Sequence, residues 1–449
     1  MALKTLVLEL NELCPPLLDR FISEGHLPNF KKLQQGGATF VTHTDDENLE
    51  PWVQWVSFHT GPKQDAHQIN ELDQGHILKQ PSLWDKLAED GQTSLVFGAM
   101  NAGPSTNENV TVVPDPWSKN VPASKPAFGA FHKFIAKQVA EHSNPDDKIT
   151  LSELTKFGVF CLRNGLSLET VYKAVKQILS EKVSSRDLYW KRACLLDDLL
   201  WDVFSTTVKR QNPQNAFYFG NSVAFLQHRY WRHLMPEVYK VKPSEAEMSS
   251  YGDAVLHGYK RFDRTIGKAL QLLGDDGALV LVTALSQEEN LRYEEQGGKF
   301  VYRARNFQKV LDFIDAPKGI SVEPVMTHEA WATCQSEADA ESLLQRFQDI
   351  RLKQSNAPMF GHREANGERV MFWCDLETQI ADDTVIVDTK TGREIAFFDL
   401  FASVGQVNNS QHNRDGAFWV YRSPVKWEAS KEKIDLTDAT RMVLEVARA

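Results

Sequence analysis

The segment from residue 46 to residue 76 gathers side chains that could do chemistry. It reads DENLEPWVQWVSFHTGPKQDAHQINELDQGH and contains carboxylates, three histidines and two tryptophans. Glu50-Pro51 predicts the start of a helix, because proline is tolerated in the first turn and a carboxylate there faces the positive end of the helix dipole. Gly61 predicts its end. Reactive groups concentrate in loops and at helix starts, so Glu50 is a candidate for chemistry. It could ligate a metal or serve as a general base that activates water, and a covalent carboxylate nucleophile is the less favoured alternative.

Polar side chains also follow two predicted strands. Asn11 and Glu12 come directly after the apolar run at 5–10, and Gln287 lies just beyond the buried run at 278–285. Ligands in open α/β sheets bind at the carboxyl ends of the strands. We therefore expect these polar groups to lie on the functional edge of one sheet.

Predicted strands alternate with predicted helices at both ends of the sequence. This alternation predicts an α/β fold with a mostly parallel central sheet sandwiched by helices. Residues 126–209 instead show helical periodicity without strands, which predicts a helical insertion. The predicted organisation is a first core segment at 1–120, a helical insertion or cap at 121–212, a second core segment at 213–290, a small mixed insertion at 291–365 and a third core segment at 366–449.

Three local predictions concern less regular stretches of the sequence. Residues 101–125 contain several Pro, Asn and Ser residues and predict a long surface loop. Residues 244–273 predict one long helix, ended by Gly274. Residues 397–405 predict a short helix.

Composition limits the class of protein. With 449 residues, 42% apolar and 24% charged, the chain has the composition of a soluble globular protein. Its net charge of −10 argues against a nucleic-acid partner. The five cysteines are scattered without a CxxC pair, and we find neither a secretory signal nor a membrane-spanning run. We expect a cytoplasmic protein with a small anionic substrate and no membrane partner.

Several motifs occur in an order that resembles a known family. GHLPNFKKLQQGGA at 25–38 precedes the helix with Trp, Ser and Thr-Gly, and an H-x-YW motif starts at His228. SQHNRDGAFWV at 410–420 and DLTDATRMVLE at 435–445 follow. This order resembles the alkaline phosphatase superfamily, in its type I phosphodiesterase/nucleotide pyrophosphatase-like branch.

The resemblance implies an α/β sandwich that cleaves phosphate or sulfate esters. Members typically bind two divalent metals, usually zinc, and use a Thr or Ser nucleophile. Two cations would neutralise the oxygens of the transferring group. Carboxylate and imidazole ligands suit such metals.

The family's site residues carry over only in part. The first metal-binding Asp falls on Asn11, and the nucleophile falls in the window 50–52, which has neither Thr nor Ser. The Asp-x-x-x-His pair falls on Ala224 and His228, so that its histidine alone is kept. The Asp-His-Gly falls on residues 285–287, where both ligands are lost. The late histidine falls on His412 and is kept.

These departures predict an altered site. The candidate metal ligands are His228, His412 and Glu12, and the expected cofactor is one divalent metal, zinc or manganese, with a metal-free site as the alternative. The candidate catalytic residues are Glu50, Asn11, Gln54 and Gln287. The candidate substrate-binding residues are Arg229, Arg232, Arg414 and Trp52, because arginine pairs with anionic groups.

Three functions fit this pattern. The first is an atypical phosphohydrolase-like enzyme, a hydrolase or transferase acting on a phosphate ester or a related anionic ester. The second is a catalytically degenerate member that binds a ligand or acts as a scaffold. The third is a metal-free transferase or isomerase in a biosynthetic pathway, built on Glu50 and the amides. Fold-level likeness alone does not decide between them.

Overall fold

The structure is a computed structural model that describes residues 3–140, 149–325, 327–404, 408–427 and 433–449. The chain forms two compact units. The first comprises residues 1–136, 151–291 and 409–449, and the second comprises residues 137–150 and 292–408. All the candidate site residues belong to the first unit.

The strands and helices are as follows. The strands are β1 Thr5–Leu10, β2 Gly37–His43, β3 Ser94–Phe97, β4 Val110–Val113, β5 Asn215–Gly220, β6 Ala278–Val282, β7 Ser286–Glu289, β8 Tyr302–Ala304, β9 Ser321–Pro324, β10 Ala330–Thr333, β11 Ile350–Leu352, β12 Phe360–Asn366, β13 Arg369–Cys374, β14 Val385–Asp388, β15 Glu394–Ala396, β16 Phe401–Ser403, β17 Ser410–Asn413, β18 Asp415–Tyr421 and β19 Ile434–Asp435. The α-helices are α1 Pro15–Ser23, α2 Pro28–Gly36, α3 Pro51–Thr60, α4 Gln64–His67, α5 Leu83–Glu89, α6 Gly129–Ala140, α7 Leu151–Arg163, α8 Leu168–Val183, α9 Lys191–Gln211, α10 Ser222–Leu234, α11 Glu245–Tyr251, α12 Ala254–Leu273, α13 Phe307–Phe313, α14 Glu337–Gln348, α15 Phe397–Leu400 and α16 Leu436–Arg448.

The first unit is built on a mostly parallel sheet of eight strands, in the order β19-β2-β18-β6-β1-β5-β3-β4. β18 runs antiparallel to its neighbours β2 and β6, whereas the other pairings are parallel. The predicted α/β class with a mostly parallel central sheet is therefore confirmed.

Helices cover both faces of this sheet. On one face, Val7 and Val280 share a core with Trp55 of α3, Trp84 of α5 and Val443 of α16. On the other face, α1, α2 and α12 pack, as shown by the edge-to-face rings of Phe21 with Tyr259 and of Phe30 with Trp419. A central strand covered on both sides needs a nearly continuous apolar run, and TLVLEL of β1 is buried throughout.

Three local predictions are wrong in detail. The stretch 101–125 contains β4, an edge strand that pairs with β3 through its apolar run VTVV. Residues 244–273 form two helices, because α11 ends at Tyr251, with Gly252 as its C-cap, and α12 begins after Asp253. The predicted helix at 397–405 ends at Leu400, and the next three residues form β16, which pairs with β8. Residue 405 lies outside the described residues.

Helices α6 through α9 lie within the range 121–212 of the predicted insertion, and residues 141–148 are outside the described residues. The second unit extends further than the predicted insertion at 291–365, and the core resumes at Asn409 rather than at residue 366. Strand pairing explains why residues after 365 belong to the second unit. β13 pairs with β10 and β14 pairs with β11, and all four strands lie in the second unit.

The second unit has its own core. Phe347 of α14 packs against Phe360 and Phe372 of its four-stranded sheet. Arg346 is buried and binds Asp388 and Asp349, each at 2.6 Å. Among the helices that the structure describes, none is both long and apolar enough to cross a membrane.

Candidate functional site

The candidate site lies at the carboxyl edge of the central sheet. β1 ends before Asn11, β5 ends before Asn221, and β6 leads into β7. Because β18 runs in the opposite direction, the residues that precede it also reach this edge. These residues form β17, which pairs antiparallel with β7. Side chains from the beginning, middle and end of the sequence therefore meet here.

Glu12 is the carboxylate of the site and is almost fully buried. Its backbone adopts a left-handed conformation with φ of 60°, which costs a side-chain-bearing residue roughly 1–2 kcal/mol. Gln227 holds this turn by donating to the Glu12 carbonyl at 2.7 Å, and Tyr259 in turn donates to Gln227 at 2.8 Å. The surrounding hydrogen bonds thus keep the carboxylate pointed along one direction.

Two histidines face Glu12. Oε2 of Glu12 lies 3.2 Å from Nε2 of His228 and 3.8 Å from Nε2 of His412. The two imidazole rings are 5.2 Å apart and nearly perpendicular. One ligand atom from each of the three residues lies within 4.8 Å of the others. The structure therefore brings together the three predicted metal ligands.

The β17–β7 ribbon positions His412 and its neighbours. His412 lies opposite Gln287, and Ser410 lies opposite Glu289. Successive side chains of a strand alternate between faces, so Ser410, His412 and Gln287 share one face. Glu288 lies on the other face, where it accepts hydrogen bonds from Gln411 and Asn413.

Helix α10 presents His228 and is interrupted just beyond it, at Tyr230, whose φ of −126° is not helical. Asn409 inserts at this break. Its N–H donates to the His228 carbonyl at 3.2 Å, and its Oδ1 accepts from the Arg232 N–H at 3.1 Å. A side chain inserted into a helix's hydrogen-bond ladder is a recognised cause of a kink. Asn409 thereby fixes α10 against the start of β17.

Ser410 and Gln287 connect the histidine to the carboxylate. Ser410 donates to Oε1 of Gln287 at 2.6 Å, and its hydroxyl lies 3.4 Å from Nδ1 of His228. Gln287 donates to Oε2 of Glu12 and, at 3.2 Å, to the carbonyl of Ala224. A polar partner at Nδ1 leaves Nε2 of His228 directed at Glu12, which is the arrangement that metal-binding histidines use.

Electrostatics favour the protonation states that a metal needs. Burial would raise the pKa of Glu12, but His228, His412 and the hydrogen bond from Gln287 lower it to about 2. Burial lowers the pKa of His412 to about 4, assisted by His228 and opposed by Glu12. At neutral pH the carboxylate is ionised and the His412 imidazole is neutral, as metal coordination requires.

Glu50 is the N-cap residue of α3, at the predicted helix start. Gly61, with φ of 99°, is the C-cap. The backbone carbonyl of Glu50 accepts from Val53 at 2.9 Å and from Gln54 at 3.1 Å. Its side chain is 40% exposed, and Oε2 lies 3.8 Å from Nδ1 of His412. Glu50 is therefore at the border between the buried cluster and solvent.

The predicted catalytic amides make internal hydrogen bonds. Asn11 accepts from Trp55 at 2.7 Å and donates to Glu12 at 3.0 Å and to Asn221 at 2.9 Å. Gln54 is fully buried and donates to the Asn48 carbonyl at 2.8 Å, in the loop that leads to Glu50. In this geometry Asn11 orients the Glu12 carboxylate, and Gln54 holds the loop that leads to Glu50.

Two predicted substrate-binding residues hold loops near α3. Arg414 donates to the backbone carbonyls of Thr44 at 3.3 Å and Asp46 at 2.6 Å. Trp52 donates from its indole to the carbonyl of Asn70 at 3.0 Å. Both therefore brace the loops around the helix that carries Glu50.

The two arginines of α10 are not brought to the cluster. The guanidinium of Arg229 lies over the ring of Phe225 at 4.7 Å. Arg232 is buried and pairs with Glu247 at 2.9 Å while donating to the Val241 carbonyl at 3.2 Å. Arg229 directly follows His228 and therefore points to another side of α10. Arg232 is four residues after His228, but the break at Tyr230 lies between them, so the two side chains do not share a regular helix face.

Sequence reasoning missed Asn409, Ser410 and Tyr259 as site residues. Ser410 lies two residues before His412, so the alternation of a strand would have placed both on one face. That signal needs β17 to be recognised as a strand, and SQHN lacks the β-branched and aromatic residues that mark one. Asn409 gave no sequence signal of its own.

The donor set fits one divalent cation. A carboxylate with two imidazole nitrogens is a ligand set that zinc accepts, and it leaves a further coordination position open. Among the residues that the structure describes, no second group of three such residues accompanies it. The two-metal arrangement that the resemblance implies therefore does not fit these residues, whereas a single metal does.

No protein-family model matches the chain, and no curated protein matches it. Among solved structures, the chain is similar to phosphonoacetate hydrolase from Sinorhizobium meliloti 1021 in complex with phosphonoacetate, at 12% identity and a TM-score of 0.45, with 99% of this chain and 96% of that chain covered. It is also similar to murine ectonucleotide pyrophosphatase / phosphodiesterase 5, at 10% identity and a TM-score of 0.41, with 99% and 95% covered. Identities and TM-scores of this size do not carry a function across.

Proposed function

We propose that this protein is an enzyme that hydrolyses or transfers a phosphate ester or a related anionic ester, using one divalent metal held by Glu12, His228 and His412. The observation that carries the proposal is the convergence of these three donors at the carboxyl edge of the sheet. The resemblance of the sequence motifs supplies the substrate class. The preferred metals are zinc and manganese.

The charges of the cluster explain why a metal would be required. Glu12 and Glu50 both carry negative charge near His412, and the arginines of α10 pair elsewhere. An anionic ester would be repelled by these carboxylates alone. A divalent cation bound there would supply the positive charge that neutralises the ester oxygens.

Glu50 is the proposed general base. It occupies the head of α3, where the resemblance implies a Thr or Ser nucleophile, and its carboxylate reaches solvent. Water is then the nucleophile in place of a side chain. Glu50 accepts a proton from the water as the new oxygen bond forms, and the departing alcohol takes up a proton as the ester bond breaks.

The test combines metal analysis with turnover. Purified full-length protein is expected to contain about one zinc or manganese per chain by elemental analysis and to hydrolyse a member of a panel of phosphomonoesters, phosphodiesters and sulfate esters. His228→Ala is expected to lose both properties. His26→Ala is the matched control, because His26 is a partly exposed histidine that pairs with Glu24, outside the cluster. Metal-free protein without turnover on the panel would refute the proposal.

A second candidate is a ligand-binding or scaffold member without catalysis. It is favoured by the internal hydrogen bonds of Asn11 and by the lack of Ser or Thr at 50–52. A stoichiometric metal together with an inert panel would favour this candidate. The metal-free transferase or isomerase built on Glu50 would instead show turnover that survives both chelation and His228→Ala.

A further inference from the structure

Helix α8 packs against the protein with its polar side. Its buried residues are Thr170 and Gln177. Lys173 pairs with Asp198 at 3.5 Å, Glu181 pairs with Arg192 at 2.6 Å, and Gln177 donates to the Leu188 carbonyl at 2.7 Å. Amphipathic helices ordinarily bury their apolar side, so this orientation leaves the apolar side of α8 uncovered.

The uncovered side is a continuous apolar stripe, which we call the α8 stripe. At 100° per residue its members fall within a sector of about 140° that includes one charged residue, Lys182. The apolar members are all exposed: Leu168, Val171, Tyr172, Val175, Ile178, Leu179 and Val183. Large apolar residues are also exposed on α7: Leu151, Leu154, Val159 and Leu162.

The size of this surface is that of a protein interface. With roughly 150 Å² for each fully exposed large side chain, the exposed fractions on α8 alone correspond to about 650 Å² in each copy, or about 1,300 Å² in a symmetric pair. The largest apolar patch of a typical monomer is about 300–600 Å², and a specific, stable interface buries about 1,200–2,000 Å² over both partners together. The surface is therefore large enough for a stable dimer.

The α8 stripe is also complementary to itself. Its ends, Leu168 and Val183, are 88% and 85% exposed, and the next pair inward, Tyr172 and Leu179, are 65% and 58% exposed. Both pairs are equally spaced about a point beside Val175, which is 51% exposed. An antiparallel pairing of two α8 helices about this point would place Leu168 on Val183 and Tyr172 on Leu179 of the other copy. Such an interface is isologous, as in most homodimers.

We propose that the α8 stripe binds a second copy of this chain, with the two α8 helices antiparallel and Val175 beside the two-fold axis. An anionic lipid surface is the competing occupant of such a helix. The chain's net charge of −10 opposes that occupant.

Sedimentation velocity of the full-length protein tests the proposal. The unmodified chain is expected to be a dimer and Leu179→Glu a monomer. Ile77→Glu is the matched control, because Ile77 is 50% exposed and lies outside the stripe, and it is expected to remain a dimer. Circular dichroism and melting curves confirm that each variant folds. A monomeric unmodified chain, or a dimer that survives Leu179→Glu, would overturn the proposal.

Cross-linking tests the geometry separately. Val175→Cys is expected to form a covalent dimer under oxidised glutathione, because the two copies of position 175 meet near the axis. Val183→Cys is expected not to cross-link, since its partner in the other copy is Leu168. The native cysteines are all buried and do not compete. Equal cross-linking of both variants would contradict the antiparallel pairing, as would binding of a monomeric chain to phosphatidylserine vesicles.

Discussion

Asn409 supplies the hydrogen bond that the next turn of α10 would otherwise give to the His228 carbonyl. Its backbone N–H donates to that carbonyl at 3.2 Å, at the break in α10. The same residue accepts from the Arg232 N–H and from the Tyr239 hydroxyl. It directly precedes β17, which carries His412. One asparagine thus sets the position of both candidate histidine ligands.

Replacing Asn409 should therefore damage the fold and the metal site together. Asn409→Ala is expected to lower the free energy of unfolding by about 1–3 kcal/mol, because it leaves the buried Arg232 N–H without its acceptor. Zinc affinity, measured by calorimetric titration, should fall in the same variant. Asn120→Ala removes a hydrogen bond from an exposed asparagine instead. Equal effects in the two variants would argue against the positioning role.

Replacing Ser410 should weaken metal binding with little change in the stability of the fold. Ser410→Ala removes the hydroxyl beside Nδ1 of His228 and the donor to Gln287. Loss of a group that orients a ligand typically weakens metal binding by about 10–100-fold. Zinc titration of Ser410→Ala, beside the exposed control Ser185→Ala, measures this loss. Unchanged affinity in Ser410→Ala would show that the serine does not orient His228.

Glu50 should matter for turnover and not for metal retention. Glu50→Gln keeps the shape of the side chain but removes its basicity, so kcat is expected to fall about 10²–10⁴-fold. Metal content by elemental analysis should remain at the level of the unmodified protein. Glu108→Gln, at an exposed glutamate, controls for the loss of one charge. Loss of metal in Glu50→Gln would instead make Glu50 a ligand.

Adding metal should stabilise the folded chain. A ligand that binds the folded state alone at one hundred times its Kd contributes about 2.7 kcal/mol, so excess zinc should raise the Tm and chelation should reverse the rise. Glu12→Gln is expected to abolish this shift, because the buried ionised carboxylate is lost. Glu24→Gln, at an exposed glutamate, should keep it. A zinc-induced shift of full size in Glu12→Gln would place the metal elsewhere.

His233 should contribute to acid sensitivity. Burial lowers its pKa to about 4, with Arg232 adding to the effect and Glu247 opposing it. The unfolded chain therefore takes up a proton near pH 6.5 that the folded chain does not, and stability falls as the pH drops from about 6.5 to about 4. At roughly 1.4 kcal/mol per pKa unit, the loss is at most on the order of 3 kcal/mol.

Denaturant unfolding of His233→Gln at pH 7 and pH 4.5 measures this contribution. The variant should show a smaller decrease between the two pH values than the unmodified chain does. His76→Gln, at an exposed histidine, serves as the control. Parallel decreases in the variant and the unmodified chain would assign the acid sensitivity to other groups.

The sheet and the position of Glu12 at its edge could be predicted from the sequence. Apolar runs mark the strands, and the polar residues directly after them mark the edge at which parallel strands end. His228 and His412 were selected in a different way, through the order of the motifs that resemble the family. The pairing of Arg232 with Glu247 of α11 was not predicted, because sequence alone does not say which helices α10 packs against. The sequence also did not predict that the first unit resumes at Asn409. The strand predicted at 370–374 gives no sign of which sheet it joins, and in the structure it pairs with β10 of the second unit.

Because β18 runs antiparallel to β6, the site can form only after the segment that contains β17 and β18 has been synthesised. Glu12 comes from the first strand, His228 from the middle of the sequence, and His412 from a segment near its end that reaches the sheet edge because β18 runs back. During synthesis, a chain lacking its last strands carries at most two of the three donors. Metal binding at this site would therefore occur only in a chain whose first unit is fully synthesised and folded. A chain that terminates before β17 lacks His412 and could not bind the ion with all three donors.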